Sequence, residues 1–252
     1  MTTSAGTLDG KLAVVTGASG GIGGAIARRL AHDGAYVMLH YGTSAAAAHA
    51  VLRDIRDAGG KGEMVHADLS TLDGAAVITQ ELGALGVSTV DILVNNAAIA
   101  PFATLLETTQ HQFDTLLNVN IRAVFELTSV LLPLMPAGSR IINIGSIATR
   151  TAFPSVIAYA ATKGWVEVFT RHLAQELGPR KITANVVSPG AIDTPMSSWI
   201  REEGGIEAVN SMQALEGAGE PRFVADAVAF LASPAAEWIT GNSLDVSGGT
   251  RL

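Results

Sequence analysis

The sequence holds no cysteine, which excludes disulfides, thiol catalysis and thiolate metal sites together. Nothing in it asks for an oxidising compartment, so a cytoplasmic protein is expected. Its six histidines never form a close pair such as HxxxH, and no metal site is suggested. Charge is scarce as well, at 15% of residues against about 25% in an average soluble domain. Sixteen Lys and Arg against 23 Asp and Glu leave −7 at pH 7. That is the wrong sign for nucleic acid, which is gripped through clustered basic residues. No run free of charge and proline reaches the roughly 18 apolar residues of a membrane span. The nearest, 121–135, contains Arg122, Glu126 and Pro133, so a buried helix and no membrane partner are expected. The N-terminal MTTSAGTLDGK has no apolar signal core.

What is present is a long, apolar chain: 252 residues, 48% of them hydrophobic. Such a length suits one large α/β domain, here read as 1–252. Short apolar runs are read as strands at 12–16, 36–41, 63–67, 92–95, 140–144, 183–187 and 243–246. They are continuous rather than alternating, as expected of strands covered on both faces. Helical patterns fall between them near 22–33, 44–58, 72–85, 109–134, 155–177 and 224–232. Strands alternating with helices imply a doubly wound, seven-stranded parallel sheet of the Rossmann type. The stretch 191–219 has weak periodicity, several glycines and Pro195. It follows a strand end, where open α/β sheets bind ligands, and is read as a mobile substrate lid.

The first strand runs into Gly17-Ala18-Ser19-Gly20-Gly21-Ile22-Gly23 and then a helix. Glycines there permit a tight turn and let a pyrophosphate reach the helix N-terminus. The second strand ends Tyr41-Gly42-Thr43-Ser44, with no carboxylate until Asp54. An acid at that place would bind a ribose 2′-hydroxyl and repel a 2′-phosphate. Thr43 and Ser44 can donate to the phosphate, which favours NADP(H) and leaves NAD(H) possible.

Tyr159-Ala-Ala-Thr-Lys163 puts two functional side chains on one helix face. Ser146 stands 13 positions earlier, at a strand end. With TGASGGIG at 16–23, NNA at 95–97, SPG at 188–190 and ITGNSLDVSGG near the C-terminus, the chain resembles the short-chain dehydrogenase/reductase family over essentially its whole length.

The resemblance implies an NAD(P)-dependent enzyme acting on CH–OH and C=O groups. Tyr159 is then the acid or base, Ser146 the partner of the substrate oxygen, and Lys163 a ligand of the nicotinamide ribose. Asn120, rather than its neighbour Asn118, holds a water linking Lys163 to solvent. Ser19 and the loop glycines hold the pyrophosphate, and Asp68 and Leu69 meet the adenine, unless Asp68 only caps its loop. Asn95 and the Ala97 backbone follow the dinucleotide, while Pro189, Gly190, Ile192 and Thr194 flank the nicotinamide. A Lys163 ammonium about 4 Å from the phenol would favour the phenolate by roughly 4 kcal/mol at an effective dielectric of 20. The Tyr159 pKa is therefore expected to fall by up to roughly three units from about 10, less whatever desolvation takes back.

Three departures from the family pattern bear on specificity. Gly20 stands where NADP-preferring members often carry Arg or Lys, Ala98 replaces the glycine of NNAG, and Trp165 replaces a small residue. The lid carries apolar anchors such as Met196 and Trp199 but no basic cluster. A neutral ketone or secondary alcohol is thus the expected substrate, through a carbonyl reductase reaction. The alternatives are an NAD-dependent alcohol or polyol dehydrogenase, a 3-oxoacyl-carrier-protein reductase, and a non-enzymatic dinucleotide-binding scaffold. By the same resemblance a homotetramer is expected, its interfaces at 109–134, 155–177 and the C-terminal strand absorbing the missing charge.

Overall fold

A computed structural model describes residues 6–251. Positions 1–5, within the polar N-terminal stretch, and Leu252, the end of the C-terminal segment assigned to an interface, lie outside the described residues.

The strands are β1 (Leu12–Val15), β2 (Tyr36–Tyr41), β3 (Lys61–His66), β4 (Ile92–Asn95), β5 (Arg140–Ile144), β6 (Thr183–Pro189) and β7 (Ser243–Val246). All pair in parallel in the order β3-β2-β1-β4-β5-β6-β7. The expected strands all occur; β3 begins two residues early and β6 runs two residues longer.

Among the described residues the α-helices are α1 (Gly21–His32), α2 (Ala45–Asp57), α3 (Gly74–Ala84), α4 (Gln110–Leu117), α5 (Ala123–Leu131), α6 (Ile157–Leu177), α7 (Gly205–Met212) and α8 (Pro221–Ala232). Successive strand residues point to opposite faces. Ala13 and Val15 of β1 enter the core under α1, α2 and α8, whereas Val14 enters the core under α3, α5 and α6. This is why the strands read as unbroken apolar runs.

The reading of 109–134 as one helix is corrected. A π turn over Asn118–Arg122 separates α4 from α5, and a 3-10 turn over Leu132–Leu134 ends it at Pro133. The whole stretch Gln110–Leu134, longer than the apolar run 121–135 within it, is long and apolar enough to cross a membrane by length and composition alone. In the fold it is a core element, with α5 packed on α3 and α4 on α6.

The segment 191–219 is also more ordered than its weak periodicity suggests. It contains a 3-10 stretch over Pro195–Arg201 and helix α7. Its two ends are joined by a parallel bridge between Ile192 and Gly219. Asp193 N–H donates to Gly219 O (2.9 Å) and Gly219 N–H to Ala191 O (2.8 Å). The segment therefore starts and ends on a base held by backbone hydrogen bonds.

Candidate active site

Strand order reverses between β1 and β4, so the loops leaving these strands diverge and open a cleft at the carboxyl edge of the sheet. Thr16 stitches the two loops together. Its hydroxyl donates to Val94 O (3.3 Å) and accepts from Asn96 N–H and Ala97 N–H (2.9 Å each). The Asn96 amide returns the contact, donating to Thr16 O (2.8 Å) and Gly17 O (3.2 Å).

Two glycines of the loop are required by geometry. Gly17 has φ +64, and a Cβ there would lie 2.9 Å from Ala97 Cα; a Cβ on Gly23 would lie 2.2 Å from Gly17 O. The Gly17 N–H donates to His40 Nδ1 (3.1 Å) and the Ala18 N–H to His40 O (2.8 Å). The first bond of α1 runs from Gly24 N–H to Gly20 O (3.0 Å), which leaves the amides of Gly21, Ile22 and Gly23 without a carbonyl one turn back. No side chain caps this end and no acid lies in its first turn. Nothing crowds Gly20, and the Thr194 side chain stands 3.6 Å from where a Gly21 Cβ would be. Loop and lid foot thus form a cradle that suits a pyrophosphate on a helix dipole.

At the far end of the cleft the start of α2 is likewise free of acid. After Tyr41, Gly42 and Thr43, Ser44 caps α2 without spending its side chain on a cap bond, and the first turn of α2 holds no carboxylate. Beside it the exposed Asp68 uses Oδ1 to accept from Ser70 N–H (2.8 Å) and Ser70 Oγ (2.7 Å), bonds that hold its carboxyl below the usual range. Asp68 is thus a loop cap in the structure, and the Leu69 side chain belongs to the core under α3.

Asn95 departs from expectation. Its amide donates to Thr128 Oγ1 (3.1 Å) and Asn143 Oδ1 (2.8 Å), and Asn143 in turn donates to Thr170 Oγ1 (2.8 Å). The side chain is buried in a network between sheet and helices and does not reach the cleft. Its neighbour Asn96 faces the phosphate loop instead.

The other edge of the cleft carries the hydroxyls. Ser146 opens a 3-10 turn over Ile147–Thr149, its Oγ accepting from Ala148 N–H (3.2 Å). Tyr159 lies in the first turn of α6 and is half-buried; Lys163, one turn on, is buried. Lys163 Nζ donates to Ile144 O (2.8 Å) and lies 5.7 Å from the centre of the Tyr159 ring. Burial pushes the lysine down to about 8. Burial also raises the Tyr159 pKa above its ordinary value, although a hydrogen bond with Ser146 pulls the other way. The expected lowering by Lys163 is therefore corrected: desolvation of the phenolate dominates, and the amine sits under the ring bonded to a carbonyl.

Asn120 occupies the π turn, 1% exposed. Its amide clamps Ile99 through both backbone atoms, donating to O and accepting from N–H at 2.9 Å each, and donates to Thr162 Oγ1 (3.1 Å) on α6. Asn118 points elsewhere, donating to Ser70 O (3.0 Å) and accepting from Arg122 Nε (3.2 Å). Pro189 ends β6, and Gly190 N–H donates to Val246 O (3.0 Å). Ile192 is buried at the lid base, while the Thr194 hydroxyl pairs with Ser197 Oγ (2.9 Å) to start the lid. Trp165 stacks on Phe169 (4.7 Å between centres), a packing role. Sequence reasoning did not assign Thr16, His40, Asn96 or Thr162 to the site. Thr16, Asn96 and Thr162 were signalled only as members of the TGASGGIG, NNA and YAATK motifs, and His40 only by its place at the end of β2.

Comparison with known proteins agrees with this geometry. A family model described as enoyl-(acyl carrier protein) reductase matches residues 17–251. An uncharacterised oxidoreductase of Methylorubrum extorquens is 42% identical, covering 97% of this chain and 99% of its own. The 3-oxoacyl-[acyl-carrier-protein] reductase of Vibrio cholerae is 38% identical, over 96% and 98%. The structure of the angucycline C-6 ketoreductase LanV with bound NADP superposes with TM-score 0.92 at 40% identity, over 98% and 97%. A second LanV structure, with NADP and rabelomycin, gives 0.88 at 39%, over 98% of each chain. This chain belongs to the short-chain dehydrogenase/reductase family of oxidoreductases.

Proposed function

We propose that the protein is an NADPH-dependent ketoreductase that converts a neutral ketone to a secondary alcohol. The observation that carries this is the meeting of the Ser146 and Tyr159 hydroxyls above a buried Lys163 at the carboxyl edge of the sheet. NADPH, when bound, supplies a hydride from nicotinamide C4. Ser146 donates a hydrogen bond to the carbonyl oxygen, and Tyr159 passes its phenolic proton to the oxygen as alkoxide character develops. Lys163 holds the nicotinamide ribose and, as the ammonium, favours that transfer. Asn120 fixes the loop at Ile99 against α6 and lies on the route by which Lys163 regains a proton from solvent.

The acid-free start of α2 beside Thr43 and Ser44 supports NADP(H) over NAD(H), and the NADP in LanV is in keeping with this. In this reading the loop of Asp68 and Leu69 and the Ala97 backbone would meet the adenine and its ribose, and Pro189, Gly190, Ile192 and Thr194 would flank the nicotinamide. A carrier-bound substrate is disfavoured. Arg140 is buried and donates to Gly138 O (2.7 Å), and Arg180 donates to Leu132 O (3.2 Å). Arg140 is thereby withdrawn from the surface, and Arg180 has one of its nitrogens engaged by backbone carbonyls. LanV's rabelomycin complex makes angucycline-type ketones the first candidates.

We also place the enzyme in the cytoplasm as a homotetramer. Phe125 and Val168 are exposed beside the Trp165–Phe169 stack, an apolar surface that a symmetric partner would cover. The deciding experiment is a panel of neutral ketones, angucycline-type ketones and 3-oxoacyl thioesters, assayed with NADPH and NADH. Turnover of ketones with NADPH is expected. Preference for NADH, or for carrier-bound thioesters, would overturn the reading.

A further inference from the structure

His40, near the end of β2, is 2% exposed, and both ring nitrogens are engaged. Nδ1 accepts from Gly17 N–H (3.1 Å), and Nε2 lies 3.0 Å from Ala67 O. A backbone carbonyl only accepts and a backbone N–H only donates. The ring must therefore be neutral with its proton on Nε2, the one form that satisfies both partners. Burial holds it there by pushing its pKa below 6.5, against the Ala67 bond, with His66 adding slightly.

One imidazole thus joins three segments of the cofactor cleft: the turn after β1, the end of β2 and the residue before Asp68. The Gly17 end matters most. That glycine sits at φ +64, a Cβ there would meet Ala97 at 2.9 Å, and its own carbonyl lies against the helix start at Gly23. Its amide is a partly buried donor whose bond, among the described residues, goes to the ring. Together with the Ala18 N–H bonded to His40 O, the ring sets where the turn ends, and so where the free amides of Gly21, Ile22 and Gly23 begin.

We propose that His40 is the positioning residue of the phosphate loop, its Nδ1 lone pair holding Gly17 so that the helix amides are set for the cofactor's pyrophosphate. This rests on the NADP(H) reading above. A side chain that merely filled the space would be replaceable by any apolar residue of similar size. A positioning acceptor would not be.

The test is NADPH titration by fluorescence on the full chain, with steady-state kinetics on the best ketone of the panel. His40→Leu keeps bulk without a polar atom. It is expected to weaken NADPH binding about tenfold, the cost of one partly buried loop donor losing its partner, with kcat at saturating NADPH within about twofold. His40→Asn, which keeps an acceptor near the place of Nδ1, is expected to recover affinity to within about threefold of wild type. Should the Leu variant not fold, His40→Gln takes its place, because it reaches Ala67 but moves its acceptor away from Gly17. Unchanged affinity in the Leu or Gln variant, or an Asn variant as weak as Leu, would overturn the proposal. Failure of the wild type to bind NADPH would instead sink the cofactor reading.

Discussion

Lys163→Met replaces a buried amine by an apolar side chain of similar length, so the two proteins should differ in how their stability responds to pH. In the fold, Lys163 is 4% exposed, faces no carboxylate and has its pKa pushed from 10.5 to about 8 by burial. The unfolded chain holds the proton up to 10.5, whereas the native state releases it near 8. Between those values the unfolded state binds more protons, so wild-type stability rises with pH across the window. The cost of burying the ammonium is fully present below pH 8 and gone above 10.5. The distance between the two values corresponds to roughly 3 kcal/mol. Met also forfeits the bond to Ile144 O (2.8 Å), worth about 1.5–3 kcal/mol to a charged donor. The absolute difference at one pH is therefore small, and the informative quantity is its change. At about 2–4 °C per kcal/mol for a domain of this size, the Tm of the Met variant relative to wild type should fall by roughly 6–12 °C between pH 7 and pH 10.5. Calorimetry of both proteins across that range measures it, and other titrating groups cancel in the difference. Parallel Tm profiles would refute the argument, because they would mean that Lys163 is not a desolvated amine.

Three further outcomes follow from the site. Tyr159→Phe should cost reduction at least about a hundredfold while leaving NADPH affinity within a few-fold, as removal of a general acid does; a variant retaining most of its turnover would disprove the role. The kcat/KM for NADPH reports groups of the cofactor-free enzyme, so reduction should decline above about pH 8 as Lys163 loses its charge; a profile flat to pH 9.5 would contradict this. Thr16→Val removes a hydroxyl serving Val94, Asn96 and Ala97 and should lower stability by about 1–3 kcal/mol and weaken NADPH binding. Denaturant unfolding showing no loss would place those amides elsewhere.

How far the sequence could be read follows from what each feature depends on. The strands of a doubly covered parallel sheet announce themselves as short apolar runs, because both faces are buried whatever the neighbours are. The seven runs were therefore legible almost to the residue, and Gly17 and Gly23 were legible as a close approach. The break at Asn118–Arg122 was not. Its apolar pattern runs on through the π turn, and only the clamp of Asn120 on Ile99 and Thr162 explains why the helix widens there. The lid's order was missed for a similar reason. Its base bridge and short helical pieces are local hydrogen bonding without a continuous apolar face.

The adjacent asparagines 95 and 96 show where pattern stops being enough. Their side chains leave a strand end in opposite directions, so one must enter the core while the other meets the loop after β1. Sequence chose Asn95 for the cleft. The structure places it against Thr128 and Asn143 and gives the phosphate loop to Asn96. Deciding between them requires knowing that α5 and α6 cover one face with Thr128 and Thr170, a fact set by tertiary packing. The proton balance at Tyr159 is hidden from the sequence for a related reason. A spacing of four along the helix sets the separation of the two groups, but the phenol, like the lysine, lies where desolvation outweighs the charge between them. Spacing of four along a helix establishes that two groups share a face; whether that face is wet or dry decides which of them carries a proton.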